Sequence, residues 1–519
     1  MASEGEELGR IIGDSVTHLQ FRCRNDRDVF VGDLVVAEDE ATGTRFLFRV
    51  TNVRHGAEAM GPDWMARTAG AMIAMDDHGQ EHRLHEADQR LYKVGLGVPL
   101  GYVKEGAFRK AKSLAPHFGV VRRAASDDYK FLAEFMGDIE VGYLRSGETH
   151  VAFPVGIDGA KSFPYHVGIF ATTGMGKSNL MKVLAGSALE RGRYGVLLVD
   201  PHGEYYDGGA AGRKGLRDHP AAPGRLSVYS TRDLKGPHHR LTFSAHEIET
   251  TDILNLFEMS SAQKDFIDAA RGHYGPAWIV ELGEKTEAQV MAEVPGRFHE
   301  GTVAVVKRKL RRLVRNGMVH KDAKVTVTKP ILADLRAGKV VLVDSSGLTE
   351  AEELLVSTVL ARFILEENKK LFGDAAFDAM PPVLITLEEA QRVLGGGEGR
   401  QSVFAQIARE GRKFKTGLCA ITQQPKLLDR EVVSQFNTLF IMGLADKRDR
   451  DILQDSAKQD VSALENEIQM LMPGEVLITS PYAPFAVPGL VHLYERHLET
   501  RPKRDEPAPA ARPPPADFY

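Results

Sequence analysis

The stretch from His166 to Asn179 reads His-Val-Gly-Ile-Phe-Ala-Thr-Thr-Gly-Met-Gly-Lys-Ser-Asn. It begins as an apolar strand, continues as a glycine-bearing turn that ends in Gly176-Lys177-Ser178, and opens an apolar-periodic helix. Backbone N–H groups around Gly174 and Gly176 can surround a polyphosphate, and the N-terminus of the helix attracts negative charge. The pattern therefore predicts a phosphate-binding loop.

The residue types in this loop suit ATP with Mg²⁺. We expect Lys177 to reach the β- and γ-phosphate oxygens and Ser178 to ligate Mg²⁺. The motif asks for Gly at its first position, where this chain has Ala171, the smallest available replacement. The residues that we expect to contact the nucleotide are Thr172, Thr173, Gly174, Met175, Gly176, Lys177, Ser178 and Asn179.

The composition is that of an ordinary globular protein. The 519 residues are 43% hydrophobic and 26% charged, and Cys23 and Cys419 are too few for a disulfide framework. Because the sequence has no long apolar run and its N-terminus is acidic, we expect neither a membrane span nor a secretory signal, and a cytoplasmic location. The formal net charge of −5 means that nucleic acid would need a locally basic surface.

Hydrophobic patterning divides the chain into segments. Residues 1–150 carry short alternating runs, which predict a small all-β barrel. Residues 151–243 and 331–498 carry short, nearly continuous apolar runs between helical patterns, typical of a parallel sheet covered on both faces. Residues 244–330 have helical periodicity and are predicted to be an insertion in this α/β domain. Residues 499–519 are a proline-rich tail or arm.

The helical insertion contains a basic run, Lys307-Arg-Lys-Leu-Arg-Arg312, within the helical pattern from Val303 to Val314. Helices carry such runs as solvated faces or as contacts to nucleic acid. The sequence leaves both interpretations open.

Three predicted strands end in acidic residues. An ATPase needs one carboxylate for the metal shell and a second to orient or deprotonate the attacking water. Asp200 and Asp344 each end an apolar run, which is the simplest pattern for the metal acid. Only Glu388-Glu389 offers two adjacent acids, which fits a division between metal and water, although acids also favour the start of a helix.

A polar amide and two arginines complete the set of candidates. Gln423 follows the predicted strand Leu418–Thr422, where an amide can sense the γ-phosphate. Arg409 and Arg412 lie in the segment Ala408-Arg-Glu-Gly-Arg-Lys413, where a guanidinium could stabilise transition-state charge in the site of a neighbouring subunit. Each arginine is equally compatible with a surface ion pair.

Together these segments resemble HerA, the hexameric DNA-translocating ATPases of the FtsK/HerA superfamily, over most of the chain. Gly9-Arg-Ile-Ile-Gly13 and Val31-Gly-Asp-Leu-Val-Val36 resemble that family's HAS-barrel. Asp200-Pro-His-Gly-Glu-Tyr205 and Ile407-Ala-Arg-Glu-Gly-Arg-Lys413 are family-like, and Thr422-Gln-Gln-Pro425 stands where the family usually shows Thr-Gln-Arg-Pro. The resemblance implies a RecA-like P-loop NTPase core.

The resemblance also implies roles for individual residues. The family's Asp-Glu pair aligns with Glu388 and Glu389, which assigns Glu388 to the metal and Glu389 to the water. Glu388 is one methylene longer than the family's Asp. The arginine that acts in trans corresponds to Arg412, with Arg409 as the second choice. Asp200 and Glu204 become neighbours of the active site.

For function, the resemblance implies a homohexamer with ATP and Mg²⁺ at its subunit interfaces and double-stranded DNA in a central channel. The lack of a long apolar run predicts no membrane association. Such a helicase or translocase works with a NurA-like nuclease in DNA end processing and repair, and no nuclease constellation is visible in this sequence. The alternative is an ATPase ring that scaffolds and regulates an effector enzyme in antiphage defence. A type IV secretion or conjugation ATPase shares much of the core but fits the predicted barrel poorly.

Overall fold

The computed structural model describes residues 5–13, 15–57, 64–74, 91–210, 212–314, 317–395 and 402–501. The chain divides into two compact units. The first comprises Met1–Gly137, Val141–Ile157 and Ile441–Val491, and the second comprises Asp138–Glu140, Asp158–Phe440 and His492–Tyr519. The expected tail lies outside the described residues from residue 502 onward.

The first unit contains the predicted barrel, closed by antiparallel strands. Its core consists of side chains that alternate along the strands, such as Leu8, Phe21 and Phe48. Closure follows because the sixth strand of the circuit pairs back with the first, which leaves the ring without a free edge. In order around the barrel the strands are Leu19–Cys23, Glu7–Ile11, Val120–Arg123, Leu34–Asp39, Thr44–Ala57 and Leu91–Lys104, and Ala107–Arg109 extends the last of these as a hairpin.

A second group of strands in the first unit comes from the middle and the end of the chain. Antiparallel pairing joins Glu475–Thr479 to Val487–Val491, and the latter to Ile139–Ser146, which neighbours Thr149–Ile157. The α-helices of this unit are Trp64–Ala74, Lys447–Ser456 and Glu465–Met470.

Buried charges hold the late segment in the first unit. Glu467 accepts a hydrogen bond from Arg49 Nη2 at 2.5 Å and another from Arg145, and all three side chains are buried. Residues 441–491, which we expected within the segment 331–498, group with the first unit by compactness, and this charge cluster is one of the contacts inside that unit.

The second unit is built on the predicted parallel sheet. The six strands from Val340–Asp344 to Thr438–Ile441 are buried on both faces, which explains their continuous apolar runs. The seven strands from His239–Arg240 to Val167–Phe170 pair in parallel. The order is His239–Arg240, Leu226–Ser230, Val340–Asp344, Gly195–Asp200, Val383–Leu387, Thr416–Thr422, Val167–Phe170 and Thr438–Ile441.

The helical insertion is present between two short paired strands, Phe243–Ser244 and Val319–His320. Trp278 is fully buried among its helices and donates from Nε1 to the Ile248 carbonyl at 3.2 Å. The α-helices of the second unit are Gly159–Ser162, Lys177–Arg191, Thr250–Leu256, Ser261–Tyr274, Trp278–Glu284, Glu287–Glu293, Glu300–Val314, Thr328–Arg336, Glu350–Leu371, Ala375–Ala379, Gln391–Leu394, Val403–Glu410, Arg430–Ser434 and Tyr494–Glu499. The predicted fold class is thus confirmed: a P-loop α/β core, a preceding barrel and a helical insertion.

The basic run on helix Glu300–Val314 divides between two environments. Lys307 is buried, and its Nζ donates to the Leu282 carbonyl at 2.6 Å, at the end of a neighbouring helix. Arg308, Arg311 and Arg312 are exposed. One lysine of the run is therefore structural, and the three arginines face solvent.

Candidate active site

The phosphate loop joins strand Val167–Phe170 to helix Lys177–Arg191. Gly174 and Gly176 have φ values of 82° and 102°, a region that other residues rarely adopt. Nothing lies within 4 Å of an added Cβ at Gly174, so the backbone conformation and not crowding requires glycine there. Ala171 has no such positive φ and is fully buried, which explains why alanine is tolerated at the first position of the motif.

Lys177 spans this loop. Its Nζ donates to the carbonyl oxygens of Ala171 at 3.1 Å and Thr172 at 3.2 Å. Burial lowers the pKa of Lys177, while the nearby charges of Glu388 and Glu389 oppose that shift. The ammonium group thus lies between the loop and the acidic pair, where a polyphosphate would meet it.

Glu388 follows strand Val383–Leu387, next to the strand that ends at Asp200. The buried Tyr205 donates its hydroxyl to Oε1 of Glu388. Burial raises the pKa of Glu388 to about 7, assisted by the charges of Asp200 and Glu389. A bound cation would oppose this shift, because positive charge favours the carboxylate.

Glu389 has a φ of 47°, the left-handed conformation, which costs a residue other than glycine roughly 1–3 kcal/mol. Its Oε2 accepts from Gln391 Nε2 at 2.6 Å and its Oε1 accepts from Gln423 Nε2 at 3.1 Å. Burial alone would raise the pKa of Glu389, but these hydrogen bonds and Lys177 lower it. Glu389 is therefore held as a carboxylate in a strained backbone conformation.

Gln423 connects this carboxylate to the phosphate loop. Thr173 Oγ1 donates to Gln423 Oε1, while the amide nitrogen of Gln423 donates to Glu389. Parallel pairing of strands Val167–Phe170 and Thr416–Thr422 brings the two loops to the same edge of the sheet. The position that we predicted for a γ-phosphate sensor is thus bonded to both the loop and the acid.

Asp200 is buried and organises its own loop. Its Oδ1 accepts from the backbone N–H groups of His202 (3.2 Å), Gly203 (2.8 Å) and Glu204 (3.2 Å), and its Oδ2 accepts from that of Tyr205 (2.9 Å). Burial raises the pKa of Asp200 against these four hydrogen bonds. The carboxylate positions the loop that carries Tyr205 and Glu204.

Asp344, the other strand-end acid, is paired elsewhere. Its carboxylate accepts from Arg232 Nη2 at 3.0 Å, Ser230 Oγ at 2.7 Å and Ser346 Oγ at 2.6 Å. Burial would raise the pKa of Asp344, but these partners lower it. The simplest sequence pattern for a metal acid therefore marks a structural ion pair at this position.

One cleft of about 650 Å³ collects most of the predicted residues. Asp200, Thr172 and Met175 do not line it, although all three lie in segments that do. Sequence reasoning did not identify His202, Lys182, Arg213, Leu493 and Glu495 as lining residues. The predicted residues that line the cleft are Thr173, Gly174, Gly176, Lys177, Ser178, Asn179, Glu204, Glu388, Glu389 and Gln423.

Asn179 fixes a distant segment of the chain, a role that its position after Ser178 did not predict. Its Nδ2 donates to the His492 carbonyl at 2.8 Å, and its Oδ1 accepts from the Tyr494 backbone N–H at 2.9 Å. The side chain therefore holds the segment that brings Leu493 to the wall of the cleft.

The two predicted arginines lie outside the cleft of their own chain. Arg409 is exposed and its Nε donates to the Ala405 carbonyl at 3.2 Å. Arg412 is exposed, with its guanidinium carbon 4.9 Å from the centre of the Tyr165 ring. The structure brings neither of them together with Lys177 and Glu389.

The donor set of the cleft suits a hydrated Mg²⁺. Ser178 and Glu388 offer a hydroxyl and a carboxylate on the same cleft, beside the loop that would hold the phosphates. Oxygen ligands of this kind, few in number, are typical of Mg²⁺ bound together with nucleotide.

Comparison with known proteins agrees with this geometry. The family model described as "Helicase HerA, central domain" matches residues 139–364. A DNA double-strand break repair helicase HerA of Saccharolobus solfataricus is 24% identical over 517 residues, which cover 95% of this chain and 93% of the relative. The chain is therefore similar to HerA helicases over most of its length.

Two further relatives extend over most of their own length. A probable helicase of Methanocaldococcus jannaschii is 25% identical and covers 80% of this chain and 79% of the relative. The DNA double-strand break repair helicase HerA of Pyrococcus furiosus is 24% identical and covers 94% of this chain and 92% of the relative. The predicted resemblance to HerA is confirmed, and the protein is an ATP-hydrolysing enzyme with a P-loop core. Among the described residues, no helix has the length and apolar character needed to cross a bilayer.

Proposed function

We propose that this chain forms a homohexameric ring that hydrolyses ATP with Mg²⁺ and translocates along double-stranded DNA. The relatives named above as DNA double-strand break repair helicases support the DNA substrate. The cleft supports the chemistry, because it combines a phosphate loop, an ionised glutamate and an amide at one edge of the sheet.

The location of the arginines carries the proposal of a ring. A guanidinium that neutralises transition-state charge must reach the γ-phosphate. Arg409 and Arg412 both lie outside the cleft of their own chain and are exposed to solvent. Arg412 is therefore available to a neighbouring subunit, and a repeating head-to-tail arrangement that closes on itself would complete every site.

In this mechanism Glu389 handles the water. The water oxygen attacks the γ-phosphorus, the bond from that phosphorus to the β–γ bridging oxygen breaks, and ADP leaves while Glu389 takes a water proton. Lys177 holds the β- and γ-phosphate oxygens. Ser178 and Glu388 would hold Mg²⁺, which would supply charge neutralisation when it is bound.

We also propose that a NurA-like nuclease is the partner, since resection of DNA ends needs strand cleavage and the residues of the cleft are those of an ATPase. The partner would use the DNA that the ring delivers. A nuclease encoded beside this chain and purified in complex with it would support this part of the proposal.

The deciding experiment measures the ATPase rate of the assembled protein with and without linear duplex DNA, with Lys177→Ala as the blank. We expect stimulation of several-fold and a particle mass of six chains. Full ATPase activity that is indifferent to duplex DNA over a range of salt concentrations would reject translocation. It would instead favour the ring that scaffolds and regulates an effector enzyme.

A further inference from the structure

Glu389 is held by two side-chain amides, one on each carboxylate oxygen. Gln391 lies two residues further along the chain and donates to Oε2, whereas Gln423 comes from the next strand end and donates to Oε1. A carboxylate only accepts hydrogen bonds, so each amide must turn its nitrogen toward Glu389. The two amide oxygens are thereby left to face other donors.

The two amides have different anchors. Gln391 Oε1 accepts from Thr422 Oγ1 at 2.5 Å, and Thr422 Oγ1 in turn accepts from the Gln424 backbone N–H at 3.0 Å. Gln423 Oε1 accepts from Thr173, a residue of the phosphate loop. One amide is thus fixed to a strand of the sheet, and the other is bonded to the loop that binds phosphate.

The two anchoring threonines, Thr422 and Thr173, also differ in their exposure to solvent. Thr422 is 1% exposed at the end of a fully buried strand, whereas Thr173 is exposed in the cleft. A γ-phosphate that enters the cleft would compete for the Thr173 hydroxyl and for the Gln423 amide. It would not reach the bond between Thr422 and Gln391.

We propose that Gln391 is a positioning residue for ATP hydrolysis, the fixed half of a two-amide clamp on Glu389. Gln423 is the exchangeable half, which leaves Oε1 for the γ-phosphate and so frees that oxygen for the attacking water. This inference rests on the proposed role of Glu389 in handling water. It assigns to Gln391 and Thr422 a task that neither the phosphate loop nor the acidic pair performs.

The first test replaces Gln391 by Met, which keeps the length of the side chain and removes the amide. We expect kcat to fall about tenfold or more, because misplacement of a catalytic group by about 1 Å has effects of this size. The dissociation constant of a fluorescent ATP analogue should change less than twofold, since Gln391 does not line the cleft. Gln435→Met is the matched control, because it makes the same replacement at an exposed position outside the cleft.

The second test uses a pair of changes at Thr422. Thr422→Val keeps the shape of the side chain and removes the hydroxyl, so it should lower kcat in the same direction as Gln391→Met. Thr422→Ser keeps the hydroxyl and should retain most of the activity. Equal activity of the Val and Ser variants would contradict the anchoring of Gln391 through Thr422.

Glu389→Gln in the same series separates this inference from the proposed function. An active Glu389→Gln would reject the role of Glu389 in handling water and leave the clamp without a function. If Glu389→Gln is inactive while Gln391→Met turns over at the wild-type rate, the clamp alone is wrong. A Gln391→Met protein that loses nucleotide binding and kcat together would also overturn it, since a positioning role predicts a change in kcat alone.

Discussion

The hydroxyl of Tyr205 donates a hydrogen bond to Oε1 of Glu388. The backbone N–H of Tyr205 is itself held by Asp200 Oδ2 at 2.9 Å, so the end of one strand supports the acid at the end of its neighbour. Partners of this kind orient a metal-binding carboxylate and are worth about 10–100-fold in metal affinity. Asp200 therefore acts on the candidate metal site through Tyr205.

Tyr205→Phe should raise the Mg²⁺ concentration needed for half-maximal ATPase activity by about tenfold, because the orienting hydrogen bond to Glu388 is lost. ATPase activity titrated with Mg²⁺ at fixed ATP measures this shift. Tyr206→Phe is the matched control, since the Tyr206 hydroxyl donates to the Lys235 carbonyl and not to the acidic pair. An identical Mg²⁺ dependence in all three proteins would dismiss the supporting role of Tyr205.

Lys177→Ala should abolish ATP hydrolysis and weaken ATP binding, because the substitution removes the charge that faces the β- and γ-phosphates. Steady-state ATPase assays and equilibrium binding of a fluorescent nucleotide report the two effects. Lys130→Ala, at an exposed position of the barrel-bearing unit, should behave like the wild type. Normal turnover by Lys177→Ala would remove the basis of the assigned site.

Glu389→Gln should bind ATP and fail to hydrolyse it, since it keeps the shape of the side chain but loses the carboxylate that handles water. Asp344→Asn should instead lower stability by about 1–3 kcal/mol, because it weakens the hydrogen bonds that the buried carboxylate accepts from Ser230, Ser346 and Arg232, while folded protein stays active. Single-turnover hydrolysis and chemical unfolding distinguish the two variants. The opposite pattern, an active Glu389→Gln and a folded but inactive Asp344→Asn, would show that the acid assignment is wrong.

Rings that contain only Arg412→Ala or only Lys177→Ala should both lack ATPase activity if Arg412 acts in trans. Mixed rings should recover part of it, because a Lys177→Ala subunit can donate its intact Arg412 to an Arg412→Ala neighbour with an intact loop. The assay requires subunit exchange, verified by a tag on one variant. Absence of recovery in rings proven to be mixed would assign Arg412 a role within its own chain and make Arg409 the next arginine to test.

The stability of the second unit should depend on pH through His166. Its Nδ1 accepts from the Leu418 backbone N–H at 3.0 Å, and burial, assisted by the charge of Arg412, lowers its pKa from 6.5 to about 4. As the pH falls below about 6.5, the unfolded chain binds a proton at this residue and the folded chain does not, so the free energy of unfolding decreases until about pH 4.

The size of this effect is at most about 3.5 kcal/mol, from about 1.4 kcal/mol per pKa unit. His166→Asn removes the titrating ring at a residue whose φ is 65°, a conformation that Asn tolerates. We expect the unfolding midpoint in urea to vary less between pH 6.5 and 4.5 in His166→Asn than in the wild type. His299→Asn, at an exposed position, should leave the wild-type slope unchanged, and equal slopes in all three proteins would contradict the assignment.

The parts of the site that could be predicted are those whose chemistry is local in the chain. The phosphate loop and its flanks occupy the 14 consecutive residues His166–Asn179, and the roles of its glycines, Lys177 and Ser178 follow from residue type and spacing. Strands buried on both faces can likewise be recognised in the sequence as continuous apolar runs. The choice among Asp200, Asp344 and Glu388 as the metal acid could not be made from local sequence. Arg232, which pairs with Asp344, lies 112 residues away in the chain.

The residues that sequence reasoning missed act through contacts between distant segments. Tyr205 and Glu388 are 183 residues apart, and Asn179 is 313 residues from the His492 carbonyl that it binds. Compactness groups residues 441–491 with the first unit, and a strand pattern in the sequence does not reveal such a grouping. Gln391 could have been found, because an amide two residues after Glu389 is visible in the sequence, although the hydrogen bond that it donates to Glu389 is not.

The barrel-bearing unit combines segments that lie far apart in the sequence. Its charge cluster joins Arg49 and Arg145 to Glu467, so the two arginines emerge from the ribosome more than three hundred residues before their counter-ion. Until Glu467 is synthesised, the nascent chain carries two guanidinium groups that lack their buried counter-ion. The unit therefore cannot reach its final packing before that point of translation. The ATP-binding core, whose segments are complete by residue 440 apart from its last stretch, is synthesised in between. Deletion of residues 1–150 would therefore not remove a self-contained domain. It would leave Glu467, in the segment 441–491, without Arg49 and Arg145. Substitutions within the barrel are thus the cleaner way to study it.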